Sequence, residues 1–263
     1  MRSVSVVVII KDEEHLLPYT MPSIASLSNL LREVIYIDDC STDNSKQVAH
    51  EIASKFKHFP LIWVEHELKR WDEQRNMGLD MATGDFIISI DADMSFTGNM
   101  RWWLEQDKFD SNDVWDFKIF NCKPDLYHYD VPSASKFNWT TRLIKNSGVR
   151  YIGAAHEQPE KYLAESKTSV KTVKNGELPR KGYCQDVWLF ETSALAPDEV
   201  LWDRGARLER FRREMTDRGI PPPPPDRYIK FKHDGAEVAE VPKDVRDMIV
   251  TMDDALRHWG NDV

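Results

Sequence analysis

Asp91 and Asp93 stand one residue apart where an apolar run ends, Asp85-Phe-Ile-Ile-Ser-Ile-Asp-Ala-Asp93. Alternate residues of a strand point the same way, so the two carboxylates can face one small volume past the strand end. Like charges that close raise each other's energy, and a bound divalent cation removes the repulsion. Hard oxygen ligands suit Mg²⁺ or Mn²⁺, ions that keep positions open for substrate phosphates. The same spacing also fits a turn or a helix N-cap. A second acidic strand end, Glu33-Val-Ile-Tyr-Ile-Asp38-Asp39-Cys40-Ser41-Thr42-Asp43, favours the site over two coincident caps. In open α/β sheets ligands bind outside the carboxyl ends of the strands. The chemistry implied is metal-assisted handling of a phosphate or diphosphate.

Alternating strands and helices must position these groups. A strand at about 3–10 leads to a helical stretch through Leu16, Leu17, Ile24, Leu27 and Leu31. The Val34–Asp39 strand, a helix at about 43–57, a strand at Leu61–Glu65 and a polar helix holding Arg75, Asn76 and Gly78 follow, before the Phe86–Asp91 strand. Alternation at this spacing predicts a parallel sheet covered on both faces. No GxGxxG follows the first strand and no GxxxxGK[ST] occurs, so phosphate has to be held by metal and side chains. From Val114 the pattern turns β-rich and reads as antiparallel, over 113–120, Phe137–Lys145, Val149–Ala154 and Ser169–Lys174. A helix at about 198–218 carries Leu201, Leu208, Phe211 and Met215 on one face, with Arg204, Arg207, Arg210, Arg212 and Arg213 read as its solvated side. Pro221–Pro225 ends it, and Val238–Trp259 reads as an amphipathic helix with Val241, Val245, Met248, Ile249, Met252, Leu256 and Trp259 on one stripe.

Composition describes an ordinary soluble globular chain: 263 residues, 41% hydrophobic and 30% charged. A net charge of -9 argues against generic nucleic-acid binding, which leaves a basic footprint. Cys40, Cys122 and Cys184 are too few and too scattered for a disulfide framework or a zinc site, so a cytoplasmic setting is expected. The opening run Ser3–Ile10 is too short to span a membrane and lacks the marks of a secretion signal.

In order along the chain, Lys11-Asp-Glu-Glu14, Asp38-Asp-Cys-Ser-Thr-Asp43, Arg75-Asn-Met-Gly78 and Asp91-Ala-Asp93 resemble the N-E-E, DDxSxD, R-N-x-G and D-x-D segments of family 2 glycosyltransferases. The resemblance covers about 1–100 closely. It continues through Thr141-Arg-Leu-Ile-Lys-Asn146 and Gly153-Ala-Ala-His-Glu157, similar to the R-L-F-R-N and G-x-x-H-E signatures of a cytosolic subgroup. It implies a GT-A fold: a Rossmann-like mixed α/β sheet flanked by helices. The catalytic domain would occupy 1–220, with a nucleotide-sugar half at 1–100 and an acceptor half at 101–220. A proline-run linker and C-terminal amphipathic helix would occupy 221–263, the helix packing back or meeting a second copy in a homo-oligomer. The Q-x-x-R-W signature of processive synthases is missing.

The family further implies an inverting transfer from a UDP- or GDP-linked sugar with Mn²⁺ or Mg²⁺. Ile10, Asp12, Glu13, Asp38, Asp39, Arg75, Asp91 and Ala92 would then surround the donor. Asp39, more than Asp38, would accept from an N–H of the base, and Arg75 would lie near the base or a pyrophosphate oxygen. Asp91 would lie near the ribose, and Asp93 would hold the metal, joined by Asp91 and His156. Either Glu157 or Asp186 would take the acceptor proton. The acceptor itself is not legible. Two other readings compete. A sugar-1-phosphate nucleotidyltransferase would show a glycine- and arginine-rich loop where the acidic Lys11–Glu14 stands, and a non-catalytic binding protein would have let the acidic motifs decay.

Overall fold

The computed structural model of the chain describes residues 2–67, 71–106, 112–123, 126, 128–130, 138–152, 171–174, 179–192, 195 and 238–261. Its frame is an eight-stranded sheet in the order β3-β2-β1-β4-β8-β6-β11-β5. The strands are β1 (Val4–Ile10), β2 (Leu31–Asp38), β3 (Leu61–Glu65), β4 (Phe86–Asp91), β5 (Met94–Phe96), β6 (Val114–Asn121), β8 (Asn138–Lys145) and β11 (Lys181–Glu191). Two-stranded pairs join β9 (Val149–Ile152) to β10 (Lys171–Lys174) and β7 (His128–Asp130) to β12 (Val238–Glu240). Strands β3, β2, β1 and β4 run parallel, as the alternation predicts. All seven residues of β1 are buried, because the strand is paired on both edges and covered on both faces.

The period of two splits the sheet's side chains into two cores. Val4, Val6, Val8 and Ile10 pack under α1 (Leu17–Ala25) and α2 (Ser45–Ala53), while Val7, Ile9, Ile35 and Ile37 pack against Leu79 of α3 (Trp71–Met81). Helix α3 lies very close to β1. A Cβ on Gly78 would stand 2.2 Å from Val7 Cγ1, so glycine is required there for the approach. Asn76 fixes the other side of the helix: its Nδ2 donates to Tyr151 O and its Oδ1 accepts from Tyr151 N, both at 2.9 Å. The R-N-x-G segment is thus a device for seating one helix at one height over the strand ends.

The second half departs from the all-antiparallel expectation. Strand β8 is antiparallel to β4 and to β6, but β6 and β11 pair in parallel. The long stretch between them lets the chain return to the same end of the sheet before entering β11. The expected helix at 198–218 and the proline run lie outside the described residues.

The tail also differs from the single helix its stripe suggests. Pro242 follows β12 and starts a short helix, α5 (Lys243–Arg246), since proline is accepted at a helix start but not within one. A capping box between Thr251 and Asp254 then opens α6 (Met252–Trp259). The apolar stripe is divided accordingly. Val241, Val245, Met248 and Ile249 pack with Phe120, Cys122 and Phe190, while Met252, Leu256 and Trp259 join the α1/α2 core. Lys57 N donates to Trp259 O and Asn261 N to Lys55 O, tying the tail to the end of α2.

A carboxylate locks the amino ends of the sheet. Glu33 on β2 accepts from Ser5 Oγ, from Thr83 N at 2.8 Å and from Thr83 Oγ1 at 2.8 Å, joining β1, β2 and the turn before β4. Burial pushes its carboxyl up, but the bonds from Ser5 and Thr83, with Arg32 adding its charge, prevail and hold it below the usual glutamate range. A lowered folded value contributes stability above the unfolded value, and that stability is lost as pH falls through the folded one. Glu33→Gln should therefore lose about 1–3 kcal/mol at neutral pH and flatten the acid limb of stability against pH in urea titrations. Gly78→Ala should cost about 1–3 kcal/mol by overpacking and weaken ligand binding at the strand ends, because Arg75 shifts with the helix.

Candidate functional site

The carboxyl ends of β1, β2, β3 and β4 open on the same edge, and the acidic segments gather there. Asp91 is the last residue of β4. Its Oδ1 accepts from Arg75 Nη2 at 2.6 Å and its Oδ2 from Arg142 Nη2 at 2.9 Å. Both arginines are buried, at 2% and 6% exposure. They arrive from opposite directions: Arg75 descends from α3, and Arg142 comes from β8, whose Leu143 pairs with Ile88 of β4. The Arg75 guanidinium also lies over the Tyr151 ring at 5.5 Å. Burial alone would raise the Asp91 carboxyl, but the two guanidinium charges prevail and hold it below the usual aspartate range. Asp91 is a fixed anion.

Asp93 is in the opposite condition. Burial first, then the negative charges of Glu191 and Asp91, push its carboxyl well above the usual range, and Arg142 offsets this only in part. Its backbone is pinned, with its carbonyl accepting from Thr192 N at 2.7 Å and Thr192 Oγ1 at 2.8 Å. The antiparallel pairing of β5 with β11 sets Glu191 opposite Met94, beside Asp93. The two aspartates therefore have different neighbours: Asp91 is paired with two arginines, and Asp93 feels the charge of another carboxylate. Uncompensated oxygen charge of this kind fits a hard divalent ion. Among the described residues no three His, Cys, Asp or Glu side chains form a metal-holding group. His156 and Glu157 lie outside the described residues.

The first acidic segment divides in the same way. Asp38 is 3% exposed, and its Oδ1 accepts from Ser41 N at 3.0 Å and from Ser41 Oγ, so it holds the turn after β2. Asp39 is half-exposed; Lys11 Nζ donates to its carbonyl at 2.5 Å, and its own N donates to Ile10 O at 3.0 Å. Asp12 and Cys40 both take left-handed backbone, at φ 51 and 50°. Asp12 Oδ1 accepts from Thr42 N at 2.6 Å, and Glu13 N donates to Ser45 Oγ at 2.8 Å. Asp12 and Glu13 thus knit the β1 loop to the β2 loop. Ala92 is buried, and its N donates to Ile9 O at 2.9 Å, bringing the β4 end against β1.

Asp186 does not join this group. It is exposed, and its carbonyl accepts from Asn99 Nδ2 at 2.7 Å. It stands in the irregular stretch of β11 between Cys184 and Trp188, while Glu191 ends the strand. Glu191 is the carboxylate that β11 delivers to Asp93, and no local pattern singled it out. Arg142 falls within Thr141–Asn146, but its role as the second clamp on Asp91 depends on β8 pairing with β4. Asn146, at the end of that segment, donates from Nδ2 to Ala82 O at 3.1 Å and Gly84 O at 2.9 Å, holding the turn that enters β4.

The chain is similar to several known proteins. Residues 1–349 of TarS from S. aureus superpose with a TM-score of 0.50 at 16% identity, covering 78% of this chain and 65% of that one. The mannosyltransferase PcManGT of Pyrobaculum calidifontis, solved with GDP-Man and Mn²⁺, covers 98% of this chain and 70% of its own at 17% identity and a TM-score of 0.47. Among curated sequences, the TPR repeat-containing protein Synpcc7942_0270 of Synechococcus elongatus is 33% identical over 93 residues, 35% of this chain and 21% of that protein. The uncharacterized glycosyltransferase YibD of Escherichia coli is 37% identical over 62 residues, 23% of this chain and 17% of its own. The matched stretch is thus a small part of each curated relative. The profile described as Glycosyl transferase family 2 matches residues 5–156, more than half of the 263-residue chain. With the parallel β1–β4 edge and its acidic strand ends, that match makes the chain a member of glycosyl transferase family 2.

Proposed function

We propose that this chain transfers a sugar, with inversion, from a nucleoside-diphosphate donor to an acceptor hydroxyl, amine or thiol, and that a divalent cation assists. The observation that carries this reading is the unequal treatment of the two aspartates: Asp91 is paired with Arg75 and Arg142, while among the described residues Asp93 is offset only in part, by Arg142. Asp93 would hold Mn²⁺ or Mg²⁺, with Glu191 beside it and His156 as a further ligand. When bound, the ion supplies Lewis-acid stabilisation to the departing diphosphate. Asp91, fixed by its arginines, would accept from a ribose hydroxyl. Asp39 would accept from an N–H of the base, while Ile10, Asp12, Glu13, Asp38 and Ala92 shape the floor beneath it.

In the transfer itself, the acceptor atom attacks the anomeric carbon while the bond to the diphosphate oxygen breaks on the opposite face. Its proton passes to a carboxylate. We assign that carboxylate to Glu157, because Asp186 sits far along β11 from the Asp93 end. No described helix is long and apolar enough to cross a membrane. The cytoplasmic placement rests on the three scattered cysteines. If copies associate through α6, they would use its outer face of Asp253, Arg257 and His258, since the inner face is taken by the core.

Nucleoside diphosphate release from UDP- and GDP-sugars, with and without Mn²⁺, tests the reading directly. Release of pyrophosphate from a triphosphate instead would make the chain a nucleotidyltransferase. Asp93→Asn should lower turnover by about 100-fold or more with a melting temperature near that of the parent; an equally active variant would remove the cation from the mechanism. Arg142→Met leaves a carboxylate with one partner, so it should lose about 1.5–3 kcal/mol of stability and weaken nucleoside diphosphate binding. Urea unfolding and calorimetry would read both effects, and parent-like values in each would show that the clamp carries no weight.

A further inference from the structure

The buried polar atoms that find no hydrogen-bond partner among the described residues include Gln74 Oε1 and His66 Nδ1, at the carboxyl edge. Gln74 is 1% exposed. Its Nε2 donates to His66 O at 3.3 Å, which fixes the amide, because a flipped amide would set oxygen against oxygen. His66 N in turn donates to Asp38 O at 2.7 Å, so the Gln74 acceptor is anchored to the end of β2. Folds leave few such acceptors unmatched, and the exceptions mark places where something else completes them.

The position is informative. Gln74 reaches the end of β3, and its neighbour Arg75 reaches Asp91 at the end of β4. The strand order β3-β2-β1-β4 puts three interstrand steps between them, about 14 Å at the usual spacing. The ends of β2 and β1, with Asp39 and Asp12, lie in that span. On the donor reading above, a nucleoside whose phosphates lie toward Asp93 would extend its base toward the Gln74 end. Reaching Oε1 requires the side chains around it to yield as the base enters.

We infer that Gln74 reads the base of the donor and that the base is guanine; the inference rests on the donor reading above. Asp39 and Gln74 present two acceptors. Guanine alone among the common bases offers a ring N–H and an adjacent exocyclic amine on one edge. Asp39 takes N1–H, and Gln74 Oε1 takes the 2-amino group. Uracil has a single N–H flanked by carbonyls, and would set an oxygen against Gln74. Adenine and cytosine carry an amine without the ring N–H.

Calorimetry on the full chain in Mn²⁺ with GDP, IDP and UDP tests this, because inosine differs from guanosine only by the missing 2-amino group. GDP should bind about tenfold more tightly than IDP or UDP, and Gln74→Met should bring GDP and IDP to equal affinity. Equal binding of GDP and IDP by the parent, tightest binding of UDP, or an unchanged GDP-to-IDP ratio in the variant overturns the assignment and leaves the transferase reading standing. If no diphosphate binds, the donor reading fails and takes the base with it. Should the variant not fold, the parent's GDP-to-IDP ratio decides alone.

Discussion

One buried carboxylate held between two guanidinium groups is the constraint on which the site depends. Asp91 ends an apolar strand, where a lone charge would be costly to leave without a partner. Arg75 and Arg142 supply that compensation, one from a helix and the other from a strand. Both arginines are themselves buried, so each of the three groups needs the others. The arrangement fixes α3, β4 and β8 relative to one another at the edge where ligands of open sheets bind. Asp93, two residues on, feels the negative charges of Glu191 and Asp91, and Arg142 offsets them only in part.

Helix α3 transmits this constraint along the edge. Gly78 sets its distance from β1, Asn76 clamps it to the Tyr151 backbone, Arg75 faces β4 and Gln74 faces the end of β3. Four roles fall within five consecutive positions because neighbouring residues of a helix point about 100° apart. A change of helix height would misplace all of them together.

The tail contributes from a distance. By splitting its apolar stripe between the Phe120–Phe190 cluster and the α1/α2 core, it braces the two halves of the sheet. Gly98, just past β5, donates to Met248 O at 2.8 Å, so the tail also touches the segment that follows Asp93. The end of this chain is thereby coupled to the strand ends rather than hung from them.

Much of the frame was legible in local pattern. The runs at β1, β2 and β4 are apolar on both faces, the alternation with helices demands a parallel sheet, and the acidic residues fall where those strands stop. These are short-range properties, fixed by side-chain period and by burial. The tail shows where such reading stops: an unbroken stripe at helical spacing did not reveal that Pro242 and the Thr251 cap cut it into separate elements. Which carboxylate would be neutralised and which left bare was decided only by the folded sheet. Asp91 and Asp93 are the same residue type two positions apart, and their difference comes from Arg142 on β8 and Glu191 on β11, which strand pairing alone brings near. Charge acts through space, and a sequence gives order along the chain but not distance across the sheet.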